Sequence, residues 1–371
     1  MRKSIILFLF VLGRLSIPAF AEMTPAMNIG LGVDMVMEAP LEEPRDGEFK
    51  VRAFELNFGA PVDPYFDALV TVGWHDDEFD LEEAWVSSNL PFNTKVQFGR
   101  EFLPFGYLNR VHEHDFPQID HPYVIEGLTT DHGMIGDGGH LEYLFPFINP
   151  TLTLNLGVYQ QIHHSVGRRM NGTPLMGRLQ SYMQSMDGRH EILYGASYLG
   201  TTGDRDFLSG RDGDRRGIGR IDNMFSLDAK YKFSPGGATY RGLTIGAEYL
   251  MIDYSANEDN DHYDLLDGNG LDGDEGFYVY AGWNFNRFWG VGYRFDNSDP
   301  LLDGLGDRGM ARKETTSDKI IAHSVYGEWR ATEFSRLRLQ YKAVDEPGKD
   351  VEHIAMLQGV FFLGWHPPHR F

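Results

Sequence analysis

His112 and His114 are separated by one residue, and His121 and His132 follow in the same stretch, "FLPFGYLNRVHEHDFPQIDHPYVIEGLTTDHGMIGD" (102–137). Imidazole nitrogen beside carboxylate oxygen suits Zn2+ or a similar borderline divalent cation. A further pair, His366 and His369, stands in the terminal "GWHPPHRF". None of these spacings is an established zinc motif, so hydrogen bonding stands beside metal ligation as a role for each ring. No cofactor is required, and Zn2+ or another divalent cation is the one these donors admit. The same stretch holds Glu113, Asp115, Asp120, Glu126 and Asp131. Later come Arg294, Arg330, Arg336, Arg338 and Lys342, with Lys230 and Lys232 before them. Acids facing bases across a passage set a transverse field that sorts ions and orders polar solutes.

The elements that would position these groups are read from side-chain alternation. In "SRLRLQYKAV" (335–344) Arg336, Arg338, Gln340 and Lys342 fall on one side of an extended chain, and Leu337, Leu339, Tyr341 and Ala343 on the other. The same period of two recurs in "TLTLNLGVY", "NMFSLDAKYKF", "EGFYVYAGWN" and "FWGVGYRFD". Repeated segments of about ten residues with this alternation are the signature of a transmembrane β-barrel, apolar toward lipid and polar toward a lumen. Trp74, Phe233, Trp283, Trp289 and Trp329 near segment ends fit interfacial girdles.

Sixteen strands are predicted, at 26–37, 49–59, 65–75, 80–89, 94–101, 138–146, 151–161 and 175–185, then 190–200, 223–233, 241–254, 276–284, 288–297, 319–330, 334–343 and 351–364. The eighth, "LMGRLQSYMQ", also reads as helix, and the second shifts face between Ala53 and Phe54, which predicts a bulge. Connections alternate between tight turns and long polar stretches, as in an all-β, closed, antiparallel barrel with both termini on the periplasmic side. Sixteen strands leave room for an aqueous channel. Lipid would then touch Leu337 and Leu339, and water Arg336 and Arg338. Residues 102–137 form the longest connection and are too apolar to stream in solvent. Phe102, Phe105, Leu108, Phe116, Val124 and Ile125 demand burial. Folded into the lumen, this third loop would be a constriction, its acids facing the basic wall that carries Arg294 and Arg336.

Composition agrees. Phe (26), Tyr (18) and Gly (43) favour sheet and tight turns over a helical bundle, and the absence of cysteine removes disulfides and thiolate metal sites. Residues 1–21 read as a cleaved export signal, with Arg2 and Lys3 before an apolar run and Ala19-Phe20-Ala21 as the cleavage site. Residues 22–371 are then a single barrel domain. Removing Arg2, Lys3 and Arg14 takes the net charge from −21 to −24, since that segment holds no acid. Such a balance disfavours nucleic acid and suits cations, or lipopolysaccharide through bridging metal ions.

"LEEAWVSSNLPFNTKVQFGREFLPFGYLNRVHEHDFPQIDHP" (81–122) resembles the phosphate-selective porin O/P superfamily, and within it the zinc-regulated outer-membrane protein branch. The terminal "QGVFFLGWHPPHRF" is similar to that branch's ending. The resemblance implies a passive porin of the Gram-negative outer membrane for small hydrophilic solutes or ions, with expression linked to zinc. A barrel of this kind would be surrounded by outer-membrane lipid and lipopolysaccharide and inserted by the barrel-assembly machinery; general porins are commonly homotrimers, although no residue here specifies one. A phosphate filter needs a dense arginine and lysine ladder, whereas this chain is acidic.

Two other readings are weaker. A barrel lipase needs Ser and His on one face, but His323-Ser324, adjacent in a strand, point to opposite faces, so no enzyme is expected. A metal-capturing surface barrel without conductance is the alternative to a porin. The acidic loop "DLLDGNGLDGDEG" (264–276) lacks the ligand spacing of an EF-hand calcium site.

Overall fold

The computed structural model describes residues 26–41, 47–75, 78–129, 133–162, 173–202, 220–237, 240–255, 275–299 and 319–365. The first eight strands are β1 (Asn28–Pro40), β2 (Glu48–Pro61), β3 (Asp67–His75), β4 (Glu78–Leu90), β5 (Thr94–Phe102), β6 (Ile135–Phe145), β7 (Thr151–Ile162) and β8 (Thr173–Gln184). The rest are β9 (His190–Thr202), β10 (Arg220–Phe233), β11 (Gly242–Ser255), β12 (Glu275–Asn284), β13 (Trp289–Ser298), β14 (Ile320–Thr332), β15 (Ser335–Asp345) and β16 (Glu352–Gly364). Each pairs antiparallel with its chain neighbours, and β1 pairs with β16, from Gly30↔Gly364 to Pro40↔Ile354, closing the ring. The strands follow the expected sixteen to within three residues at every end. The ambiguous eighth is a strand, because its backbone groups pair with both β7 and β9.

The period of two sorts side chains as lipid and lumen require. On β15, Leu339 is 63% exposed on the outside and Arg338 only 1% exposed on the inside. Leu337 and Tyr341 share the outer face, and Gln340 and Lys342 the inner one. Trp289 and Trp329 stand opposite one another at the short-turn end, ring centroids 6.3 Å apart, as an interfacial pair. An outer surface this apolar on a closed barrel places the chain in an outer membrane.

Two bulges re-aim side chains near one sector of the wall. Asp34 opposes Ala53 while Met35 opposes Val51, so Arg52 is the extra residue of β2. The expected face shift therefore lies one residue earlier than the Ala53–Phe54 step. On β4, Thr71 opposes Glu83 while Val72 opposes Leu81, which leaves Glu82 as the extra residue. Both Glu82 and Glu83 are consequently buried, although neighbours in a regular strand face opposite ways.

Between β5 and β6, the described residues 103–129, 133 and 134 fold inside the ring. Leu103, Phe105, Leu108, Phe116, Val124 and Ile125 pack on inward-facing apolar wall residues that include Tyr159, Met176, Met224 and Leu250. Ile119 packs separately on Val36, Ile354 and Met356. The inner wall is apolar where the loop lies against it, which satisfies side chains that solvent could not.

Candidate functional site

The loop is fastened to the wall at several points around the bore. It leaves β5 and turns at Gly106, whose φ of +64° is left-handed and whose absent Cβ leaves space for the Glu248 carboxylate. The backbone N–H groups of Tyr107 and Leu108 donate to Glu248 Oε1 and Oε2 at 3.1 and 3.3 Å, and that of Gly106 to Ser197 Oγ at 3.0 Å. Glu248 also accepts from Tyr278 OH at 3.0 Å. Lys230 Nζ lies 2.6 Å from Tyr107 OH. Two 3₁₀ turns follow, Leu108–Arg110 and Glu113–Asp115, then the helix α1 (Tyr123–Thr129), which packs on β11, β12 and β13. Asn109 ties the loop's two ends together, donating to Leu103 O and Met134 O and accepting from Met134 N–H.

The basic wall meets mostly loop backbone. Arg338 Nη1 donates to Phe116 O at 2.6 Å and Gln118 O at 2.7 Å, and its Nη2 to His114 O at 3.1 Å. Arg336 also donates to His114 O. The strand face is as expected, but loop carbonyls rather than water meet Arg338, because the loop occupies the lumen there. Asp120 does engage the wall by its carboxylate, 3.1 Å from Arg294 Nη2 and 2.9 Å from Lys342 Nζ, with Gln340 donating at 2.5 Å. Burial alone would raise the Asp120 pKa, but Arg294 and then Lys342 hold it well below the usual carboxylate range.

The other expected charges are placed differently. Glu113 pairs with Arg52 of β2 at 2.8 Å, and Arg52 also holds Asp34 at 2.5 Å. Asp115 lies 3.5 Å from His114, Glu126 is exposed at the loop surface, and Arg330 turns to Glu328 and Asn284 near the short-turn end. Asp131, His132, His366 and His369 lie outside the described residues, as do residues 1–21.

His112 and His114 come together with acids that the sequence reading did not single out. Their rings stack with centroids 5.5 Å apart. His112 Nδ1 is 3.3 Å from Glu55 Oε2 and 3.7 Å from Glu82 Oε2, and its Nε2 is 3.5 Å from Glu83 Oε2. His114 Nδ1 is 3.1 Å from Glu55 Oε1. His121 stands apart from this group, 3.6 Å from Glu113 and edge-on to Phe116. Burial would lower the His114 pKa, but Glu55 and then Asp115 push it up to about 10. Glu55 and Glu83 likewise hold His112 well above the usual imidazole range. "LEEAW" was the available signal for Glu82 and Glu83, but only the bulge turns both inward. His323 is exposed while the adjacent Ser324 is buried, so the wall separates that pair.

A closed ring of sixteen strands, apolar outside and polar within, with a loop fastened across its bore, has the fold of outer-membrane porins and channels. Solved structures of this fold resemble it along most of its length. OmpT of Vibrio cholerae, folded in vitro, matches at a TM-score of 0.57 and 10% identity, covering 92% of this chain and 100% of that one. OprB of Pseudomonas putida gives 0.57 at 12% identity, covering 91% and 94%. The outer membrane channel DcaP of Acinetobacter baumannii gives 0.56 at 10%, covering 92% and 99%. By sequence, an uncharacterised protein of Aquifex aeolicus strain VF5 is 28% identical over 348 residues, covering 86% of this chain and 70% of that protein. No family model matches the chain.

Proposed function

We propose that the chain is a porin through which small hydrophilic solutes or ions diffuse passively, along a bore narrowed by residues 102–137. The loop's path carries this reading. One segment held by β2, β11, β13 and β15 crosses the inside of a ring wide enough for water, and a mere scaffold needs no such crossing. The net charge of −21 favours cations over phosphate. The likeness of residues 81–122 to the phosphate-selective porin O/P superfamily supports a porin while leaving its solute open. One of the similar Vibrio cholerae OmpT structures is a trimer form, in keeping with a homotrimer here. Lipopolysaccharide and lipid are the partners of the outer face, and the barrel-assembly machinery its route of insertion. A link to zinc or another divalent cation is the finer part of this reading, supported by the approach of His112 to Glu55 and Glu82.

Planar-bilayer recording tests the channel. Purified protein should give steady conductance steps with a modest cation preference, reduced by Glu113→Gln combined with Asp115→Asn. A folded barrel that never conducts overturns the reading and favours a metal-capturing surface barrel.

A further inference from the structure

We propose that Glu55, Glu82 and His112 form a binding site for one divalent cation of the borderline transition class, which clamps the constriction loop to β2 and β4. The proposal deepens the divalent-cation part of the functional reading and does not depend on conduction. One ligand atom from each of the three residues lies within 4.8 Å of the other two. Ligands about 2.1 Å from a tetrahedral Zn2+ stand about 3.4 Å from one another. The His112 Nδ1 separations of 3.3 Å from Glu55 and 3.7 Å from Glu82 are edges of that size. Small side-chain movements would complete the geometry, and a water would take the fourth position.

The surroundings are those of a ligand set. A metal-bound imidazole almost always gives its other ring nitrogen to a carboxylate, which fixes the tautomer and strengthens the donor. Glu83 occupies that place, 3.5 Å from His112 Nε2. His114 holds the second Glu55 oxygen at 3.1 Å, leaving Glu55 Oε2 directed at His112. Glu82 reaches the group only because it is the extra residue of a bulge, and bulges recur where a side chain must be re-aimed at a site.

Charge points the same way. Glu55, Glu82 and Glu83 are buried together. A dication seated among these three carboxylates would offset two of their charges, and neutral imidazole is the form that ligates a metal. One nitrogen with carboxylate oxygens suits Zn2+ and its neighbours better than Ca2+, which favours six to eight oxygens.

Calorimetric titration with Zn2+ alone, at neutral pH in detergent, tests the site. A background carrying His366→Ala and His369→Ala removes the terminal chelating pair. One equivalent should bind, Glu82→Gln should weaken it at least about tenfold, and Glu126→Gln should leave it unchanged. Heat-modifiable gel migration verifies that each variant is a folded barrel. If Glu82→Gln fails to fold, His112→Gln, a loop change that spares the wall, should show the same loss. Equal affinity in the parent and the folded variant, no binding by the parent, or tighter binding of Ca2+ than of Zn2+ overturns the proposal. Zn2+ binding by an electrically silent barrel supports the site and overturns only the channel.

Discussion

The guanidinium of Arg338 and the carbonyl oxygen of Phe116 are joined by a 2.6 Å hydrogen bond between residues 222 positions apart. Gln118 O at 2.7 Å and His114 O at 3.1 Å share the same guanidinium. A charge on the inner wall that could have faced water instead terminates a bend of loop backbone. The planar fork suits this task, since one residue can satisfy several converging carbonyls.

Arg338→Leu should therefore free the loop while sparing the barrel. Losing a buried charged donor costs about 1.5–3 kcal/mol per bond removed, enough to detach residues 114–118. Single-channel traces should become noisier or larger in step size, and added protease should cut within 102–137 faster than in the parent. Identical traces and cleavage would show that the apolar packing of Phe105 and Leu108 holds the loop unaided.

Gly106→Ala tests the opposite anchor. A Cβ there would stand 1.8 Å from Glu248 Oε1, on a backbone whose φ is +64°. Strain of about 1–3 kcal/mol should displace the Tyr107 and Leu108 N–H groups from Glu248. Hydrogen exchange at those two amides should accelerate, with the β-strand amides unchanged.

Asp120 sets the acid limit of loop docking. Its pKa is depressed in the docked state, so its contribution is complete above the ordinary aspartate value and is lost only as pH falls through the lower, docked value. Cleavage within residues 114–121 by an acid-active protease should stay slow as pH is lowered into the range where exposed aspartates protonate. Asp120→Asn leaves Arg294 with Asp296, 2.7 Å away, but takes from the buried Lys342 the carboxylate at 2.9 Å, a destabilising loss of charge pairing. That variant should show the freed-loop behaviour already at neutral pH. A parent loop that becomes cleavable at the ordinary aspartate pKa would refute the anchoring role.

Leu339→Arg tests the outer face. A charge near the bilayer midplane costs about 2–4 kcal/mol in a transmembrane barrel. Folding into lipid vesicles, followed by the heat-modifiable band, should fall in yield. Leu339→Phe, which keeps the surface apolar, should fold normally. Equal yields would mean that Leu339 does not meet lipid.

The strands and their faces were legible because a period of two is local. Leu337 and Leu339 point outward, and Arg338 and Lys342 inward, whatever their distant partners are. Alternating connection lengths likewise fix an antiparallel ring, and the apolar residues of 102–137 require that stretch to fold inward. What Arg338 meets, why Glu82 joins Glu83 in the interior, and that Glu113 pairs with Arg52 while Asp120 pairs with Arg294 were decided only by tertiary structure. A bulge is a property of the register between two strands, so "LEEAW" by itself assigns alternate faces to its acids. Loop partners are chosen by packing across the bore, between residues more than two hundred positions apart in the case of Arg338, and no local pattern carries that information.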